Sequence, residues 1–179
     1  MHRGFEVVSK YEGKGIHLPY RSTENAAGYD FESSVDMVIP SIWKLGVMNA
    51  FKRLHDKSEL TTDELKQANS DLKPFLVPTG IKSYMEPNEV LIIANRSSNP
   101  LKRGLILPNG IGVIDADYYN NDSNEGEIFV QLFNYSITDY HVKKGDRIAQ
   151  GIFMPFLLSD QDDANAKQTR TGGFGSSGN

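Results

Sequence analysis

The sequence contains no cysteine. That absence removes zinc ribbons, iron–sulfur centres, cysteine nucleophiles and disulfide frameworks together. Histidine is scarce: His2, His17, His55 and His141 are the whole supply, and no two stand at metal-ligand spacing. A helical His-x-x-x-His zinc hydrolase is therefore excluded. Basic charge is not in excess either. With 19 Lys+Arg against 23 Asp+Glu the formal charge is −4, which is not the footprint of a nucleic-acid binder, so no direct nucleic-acid partner is expected. No apolar run approaches the roughly 20 residues that span a bilayer. Met1, His2 and Arg3 open the chain without the apolar stretch of a secretory signal. A soluble, cytoplasmic protein with no membrane partner is the expectation. Neither Gly-x-x-x-x-Gly-Lys-Ser/Thr nor Gly-x-Gly-x-x-Gly occurs, so any phosphate site must sit on another scaffold. No internal repeat is visible.

What is present is a series of short apolar runs cut by 16 glycines and eight prolines, that is, Gly 16 and Pro 8. Runs over 90–94, 111–114, 127–134 and 147–154, the last stopped by Pro155, predict strands. Many short strands with turn residues between them imply an all-β fold, a jelly-roll-like sandwich or barrel. The 179 residues suit one domain with an insertion. Residues 41–73 are that insertion, because helix formers replace Gly and Pro there. Trp43, Val47, Ala50, Phe51 and Leu54 share one helical face, and Thr61 with Glu64 has capping-box spacing ahead of Leu65 and Ala68. The expected organisation is a β domain over 1–158, interrupted by a helical hairpin at 41–73, followed by a mobile C-terminal arm over 159–179.

Three segments carry residues suited to chemistry. Asp115 and Asp117 lie two apart after a predicted strand, so their carboxylates point the same way and could share a metal or supply a base. Arg96, Ser97 and Ser98 end another strand, where a guanidinium fork and two hydroxyls suit phosphate oxygens. Taken alone, each is also what a solvated turn looks like. The third segment is more telling. Arg170 precedes a run of Gly172, Gly173, Phe174, Gly175, Ser176, Ser177 and Gly178. Its glycines let backbone N–H groups approach an anion, Arg170 adds charge, and Phe174 offers a face to a planar ring.

In their order, five segments resemble the motifs of the trimeric dUTPases, the deoxyuridine triphosphate nucleotidohydrolases. They are Ala27–Phe31, Arg96–Ser98, Asn109–Tyr118, Gly145–Gln150 and Arg170–Gly178. The resemblance implies a β jelly-roll homotrimer that hydrolyses dUTP to dUMP and pyrophosphate with Mg²⁺, limiting uracil incorporation into DNA and supplying dUMP for dTMP synthesis. Each active site would take its first, second and fourth motifs from one chain, the third from another and the fifth from the last. Asp115 would activate the attacking water. Tyr118 would pack under the deoxyribose and leave no room for a 2′-hydroxyl. Asn109, with backbone groups around Gly112 and Ile114, would form the uracil pocket. Arg96, Ser97, Ser98 and Gln150 would serve the phosphates and metal-bound water. Arg170 would meet the γ-phosphate and Phe174 would stack on uracil, with Gly175, Ser176 and Ser177 adding donors. No side chain is expected to bind the metal directly. The triphosphate and water would hold it, with an indirect part for Asp30 or Gln150.

The sequence departs from the family pattern in four places. Asn95 stands where a proline is common before Arg96, and Asn120 and Asn121 stand where Gly followed by Glu, Asn or Gln is usual. Arg170 is one residue closer to Phe174 than in many members, and residues 41–73 have no counterpart in the minimal enzyme. Two other readings are weighed. A dCTP deaminase-like relative would need a glutamate at the base, and none lies within 109–121. A trimeric interaction or regulatory module would use the 41–73 insert, with Trp43, Phe51 and Leu54 as anchors for a protein partner.

Overall fold

The computed structural model describes residues 2–44, 47, 51, 55, 61–71 and 73–162. Eleven strands appear among these residues. They are β1 (Gly4–Val7), β2 (Tyr29–Glu32), β3 (Met37–Ile39), β4 (Phe75–Pro78), β5 (Ile81–Tyr84), β6 (Glu89–Ala94), β7 (Leu105–Ile106), β8 (Ile111–Asp115), β9 (Phe129–Asn134), β10 (Tyr140–Val142) and β11 (Arg147–Pro155). They form a four-stranded sheet in the order β2-β11-β6-β8, a three-stranded sheet β4-β9-β7, and the pairs β1-β5 and β10-β3. Every pairing is antiparallel. The architecture is all-β and jelly-roll-like, as the turn-punctuated sequence implies.

Alternation along the strands decides what goes inside. In β9 Val130, Leu132 and Asn134 are buried while Phe129, Gln131 and Phe133 are half-buried. Leu91 and Ile93 of β6, Phe31 of β2 and Val77 of β4 meet them in one cluster that also holds Ile39, Ile81, Leu105, Ile128, Val142 and Ile148. Burial of these side chains stabilises the domain by about 2 kcal/mol each before chain entropy is subtracted. Phe5, Tyr29, Phe31 and Phe153 stack edge to face at 5.3–5.9 Å, which fixes β1 across the end of the four-stranded sheet.

One strand boundary differs from the sequence expectation. The run expected over 127–134 starts only at Phe129. Gly126 has φ +81°, and Glu127 donates its N–H to Asn124 in a turn. β11 ends at Pro155 as expected, with Pro155 itself as its last paired residue, opposite Glu89. The neighbouring Phe156 N–H donates to Asn88 O at 3.1 Å, so Pro155 falls at a position where the ladder asks for no donor.

The 41–73 insert is helical in its described parts. A short 3-10 turn covers Ile42–Lys44, and helix α1 spans Thr62–Asp71. The Thr61 hydroxyl accepts from the Glu64 N–H at 3.3 Å, and the Glu64 carboxylate accepts from the Thr61 N–H at 3.0 Å. This reciprocal pair is the capping box that the spacing predicts. Of the first expected helical face, Ala50 and Leu54 lie outside the described residues. Phe51 is helical and exposed. Trp43 donates its ring N–H to Tyr135 O at 3.3 Å, and Ser41 is buried beside Ser136 and Asp139, so the insert's first turn is tied to the β domain.

Candidate active site

One row of backbone partners crosses the four-stranded sheet. Asp30 on β2 faces Gln150 on β11, Gln150 faces Ala94 on β6, and Ala94 faces Ile111 on β8. Four of the five segments singled out in the sequence therefore lie side by side. Asp30 and Gln150 are on the face opposite Phe31 and Gly151, which point into the core.

Asp30 is the electrostatic centre of this row. Its Oδ1 accepts from Arg96 Nε at 2.8 Å, and its Oδ2 accepts from Ser22 Oγ at 2.7 Å and Arg147 at 3.0 Å. Burial works to raise its pKa, but the Ser22 hydroxyl and the two guanidinium groups outweigh burial and hold the carboxyl below the usual range. Arg96 is thereby fixed at the strand end, and it also reaches the Arg147 carbonyl at 3.4 Å and Ser98 Oγ at 3.5 Å. Ser97 is exposed and Ser98 half-buried beside it. Gln150 donates Nε2 to Asn95 O at 3.0 Å. Its Oε1 lies so near Gly28 that a Cβ there would come within 2.6 Å, so a glycine lets the loop before β2 close on this amide.

The third segment enters this row at Ile111 and runs along β8 away from it, towards Asp115. Asn109 is exposed in the turn before β8, where its carbonyl accepts from the Ile111 N–H at 2.8 Å. Gly112 and Ile114 face the core side, opposite Ile93 and Leu91, while Ile111, Val113 and Asp115 share the outer face. Asp115 is half-buried and immediately precedes a 3-10 turn over Ala116–Tyr118. Four residues separate it from the Ile111 row, about 13 Å at strand rise. Asp115 pairs with Val90, and Val90 with Met154, so two further strands stand between it and Asp30. Within one subunit the arginine cluster and Asp115 do not meet.

Tyr118 is only 6% exposed, and its hydroxyl donates to Glu127 O at 3.0 Å. Arg170, Phe174, Gly175, Ser176 and Ser177, expected to complete the site, lie outside the described residues, as does most of the 159–179 arm.

Comparison with known proteins settles the lineage. The family profile described as dUTPase matches residues 66–178. The deoxyuridine 5'-triphosphate nucleotidohydrolase of Lactococcus lactis subsp. lactis (strain IL1403) is 44% identical over 98% of this chain and 97% of its own length. The chain belongs to the dUTPase family. The enzyme of the same name from Gamma-proteobacterium EBAC31A08 is 39% identical over 93% of this chain and 98% of its own. The crystal structure of the dUTPase from Streptococcus mutans superposes with a TM-score of 0.68 at 39% identity, covering 88% of this chain and 98% of that one.

In this dUTPase several site-shaping residues escape a motif-by-motif reading. Arg147 and Ser22 complete the Asp30 cluster. Asn95, where the family often has proline, accepts from Asn99 Nδ2 at 2.7 Å and so braces the one-turn π-helix over Asn99–Arg103. Glu127 is fully buried. Its carboxylate pairs with Lys10, raising the lysine pKa through that hydrogen bond, and accepts the Gly80 N–H at 3.3 Å. Asn120 takes φ +54°, the left-handed backbone that a glycine at this position would also adopt. A Cβ on Gly126 would lie 2.5 Å from Tyr118 O and 3.1 Å from Tyr119 Cα. The chain thus leaves after Tyr119 and returns at Gly126, which packs against the Tyr118–Tyr119 backbone.

Proposed function

We propose a division of labour for the hydrolysis of dUTP to dUMP and pyrophosphate, the reaction of this dUTPase, in which three chains complete each site. The observation that carries it is the separation of Asp115 from the Asp30–Arg96–Gln150 cluster within one subunit. A homotrimer in which one chain's β8 end faces another chain's arginine cluster closes that gap. Exposed apolar residues support such an assembly. Ile111 and Val113 flank Asp115 on the outer face at 49% and 55% exposure, and Leu157 just past β11 is 96% exposed. Exposed apolar side chains of this kind are what subunit contacts cover.

In the assembled site Asp115 orients a water for in-line attack on the α-phosphorus and accepts its proton. A P–O bond forms to the water oxygen as the bond to the bridging oxygen of the β-phosphate breaks, and pyrophosphate leaves with that electron pair. Arg96, held by Asp30, and the hydroxyls of Ser97 and Ser98 bind phosphate oxygens. Asn109 and the β8 backbone read the uracil edge. A cytosine amino group would meet a donor there, which is a penalty and not merely a lost bond. Arg170 and Phe174 close over the γ-phosphate and the base.

The donor set fits a hydrated Mg²⁺ carried by substrate. Both Asp30 oxygens are engaged by Arg96, Arg147 and Ser22, so this carboxylate would reach a substrate-borne metal only through water. Magnesium keeps several waters and binds chiefly through phosphates in such sites. When bound it neutralises charge on the departing pyrophosphate.

Pyrophosphate release from dUTP, dCTP, dTTP and UTP with Mg²⁺ tests the reaction, with turnover of dUTP alone expected. Subunit sharing has its own test. Arg96→Ala and Asp115→Asn variants, each nearly inactive alone, are expected to regain activity when unfolded and refolded together, because about a quarter of the sites in random mixed trimers inherit both intact groups. No recovery from mixed trimers would place all the groups in one chain.

A further inference from the structure

We infer that Asn124 is a positioning residue for sugar selection, acting through the hydroxyl of Tyr118; this rests on the assignment of Tyr118 to the deoxyribose. The loop that carries it begins and ends at almost the same place. Asn120 N donates to Glu125 O at 3.0 Å, the two residues take φ +54° and +59°, and Gly126 lands against the Tyr118–Tyr119 backbone. The chain needs no such excursion to pass from Tyr119 to Gly126, so the contacts of the loop indicate what it is for.

Those contacts converge on Tyr118. Asn124 Nδ2 donates to the Tyr118 hydroxyl at 2.9 Å, while that hydroxyl donates to Glu127 O. Asn121 Nδ2 donates to Tyr118 O at 2.9 Å and to Asn124 Oδ1 at 2.9 Å. Asn121 Oδ1 accepts from the backbone N–H groups of Ser123 and Asn124, and Asn124 Oδ1 accepts from the Gly126 N–H at 3.1 Å. The opposite side of the loop is fastened to the β1-β5 ribbon and the turn after it. Tyr119 donates to Glu6 at 2.7 Å, Lys82 donates to Asn120 Oδ1 at 2.7 Å, and the Ser9 N–H donates to Glu125 at 3.1 Å. The loop is thus a strut. It is anchored on two strands and grips one tyrosine at both its carbonyl and its hydroxyl.

A tyrosine that excludes a 2′-hydroxyl works by being unable to yield. Steric exclusion weakens if the ring can swing, because the wrong substrate then displaces it at little cost. Asn124 holds the far end of the ring and so sets the stiffness of that wall.

The readout is the ratio of kcat/KM for dUTP to kcat/KM for UTP. A merely structural loss lowers both together and leaves the ratio alone. Asn124→Ala is expected to lower the ratio about three- to tenfold, the scale of one lost hydrogen bond. Tyr118→Phe removes the same bond from the other side together with the hydroxyl's bond to Glu127 O, so it should lower the ratio at least as far. The double variant should fall no further than Tyr118→Phe alone, since Asn124 acts through the hydroxyl that this variant lacks. If Asn124→Ala does not fold, Asn124→Asp takes its place, since it keeps the Oδ1 acceptor for the Gly126 N–H and removes the Nδ2 donor to the Tyr118 hydroxyl. A ratio that falls in Tyr118→Ala but holds in Asn124→Ala and Tyr118→Phe overturns the role of Asn124 and leaves the sugar assignment standing. A ratio that holds even in Tyr118→Ala overturns the assignment, and the inference with it.

Discussion

Asp115→Asn is expected to lower kcat for dUTP by about a thousandfold with little change in KM, the scale on which a positioned general base contributes. Asparagine has the shape of aspartate and fits the half-buried end of β8, where the residue pairs with Val90 and leads into the Ala116–Tyr118 turn. It cannot accept the proton of an attacking water. Substrate binding falls chiefly to other groups, so KM should barely respond. Asp117→Asn supplies the comparison. Asp117 is exposed in the same turn, two residues on, and a loss of less than about tenfold is expected there. Steady-state pyrophosphate release by the two variants at equal trimer concentration decides between the carboxylates. Equal losses in both would mean that the pair acts as a unit, and a small loss in Asp115→Asn would remove it from the role of base.

How far the site could be read from the sequence follows from how local each feature is. Asp115, Arg96 and Gln150 lie in short segments whose residues are contiguous, so the order of those segments carries the family resemblance that marks them. Thr61 and Glu64 announced a cap that forms as expected, because a capping box involves only four residues. The row from Asp30 through Gln150 and Ala94 to Ile111 was not legible. It depends on the register of strands up to 120 residues apart, as with Asp30 and Gln150, and a one-residue slip would put each side chain on the other face. Arg147 stood inside a recognised segment, yet its bond to Asp30 is a property of that pairing. Glu127 was hidden for another reason. A carboxylate between Gly126 and Ile128 reads as a strand-edge charge, and only Lys10, 117 residues earlier, explains its burial. Nor does the sequence reveal that the chain makes a closed excursion between Tyr119 and Gly126, since that closure depends on contacts across the loop.

The Asp30 cluster predicts a second large effect, on stability as well as on substrate. Asp30→Ala removes the acceptor shared by Ser22, Arg96 and Arg147 and leaves two guanidinium groups facing each other. Breaking a buried ion pair from one side costs about 3–5 kcal/mol. Arg147 is 41% exposed and can rehydrate, whereas Arg96 at 17% cannot do so freely, which places the expectation near the lower end, about 3 kcal/mol. The same variant should raise KM for dUTP, since Arg96 loses the partner that orients it.

The effect of pH follows from the direction of the shift. Asp30 is held below the ordinary carboxylate range in the folded chain. Its stabilisation is therefore complete above the unfolded value of about 4 and is lost as pH falls through the lower folded value. The stability gap between wild type and Asp30→Ala, followed by denaturant unfolding at one protein concentration, should be constant from about pH 5 to 8 and close progressively below about pH 4. Asp30→Asn keeps an acceptor oxygen but no charge, so it should fall between the two and share the flat acid response of the alanine variant. A gap that persists undiminished well below pH 4 would show that the carboxylate acts through shape alone, and that Arg96 and Arg147 do not depend on its charge.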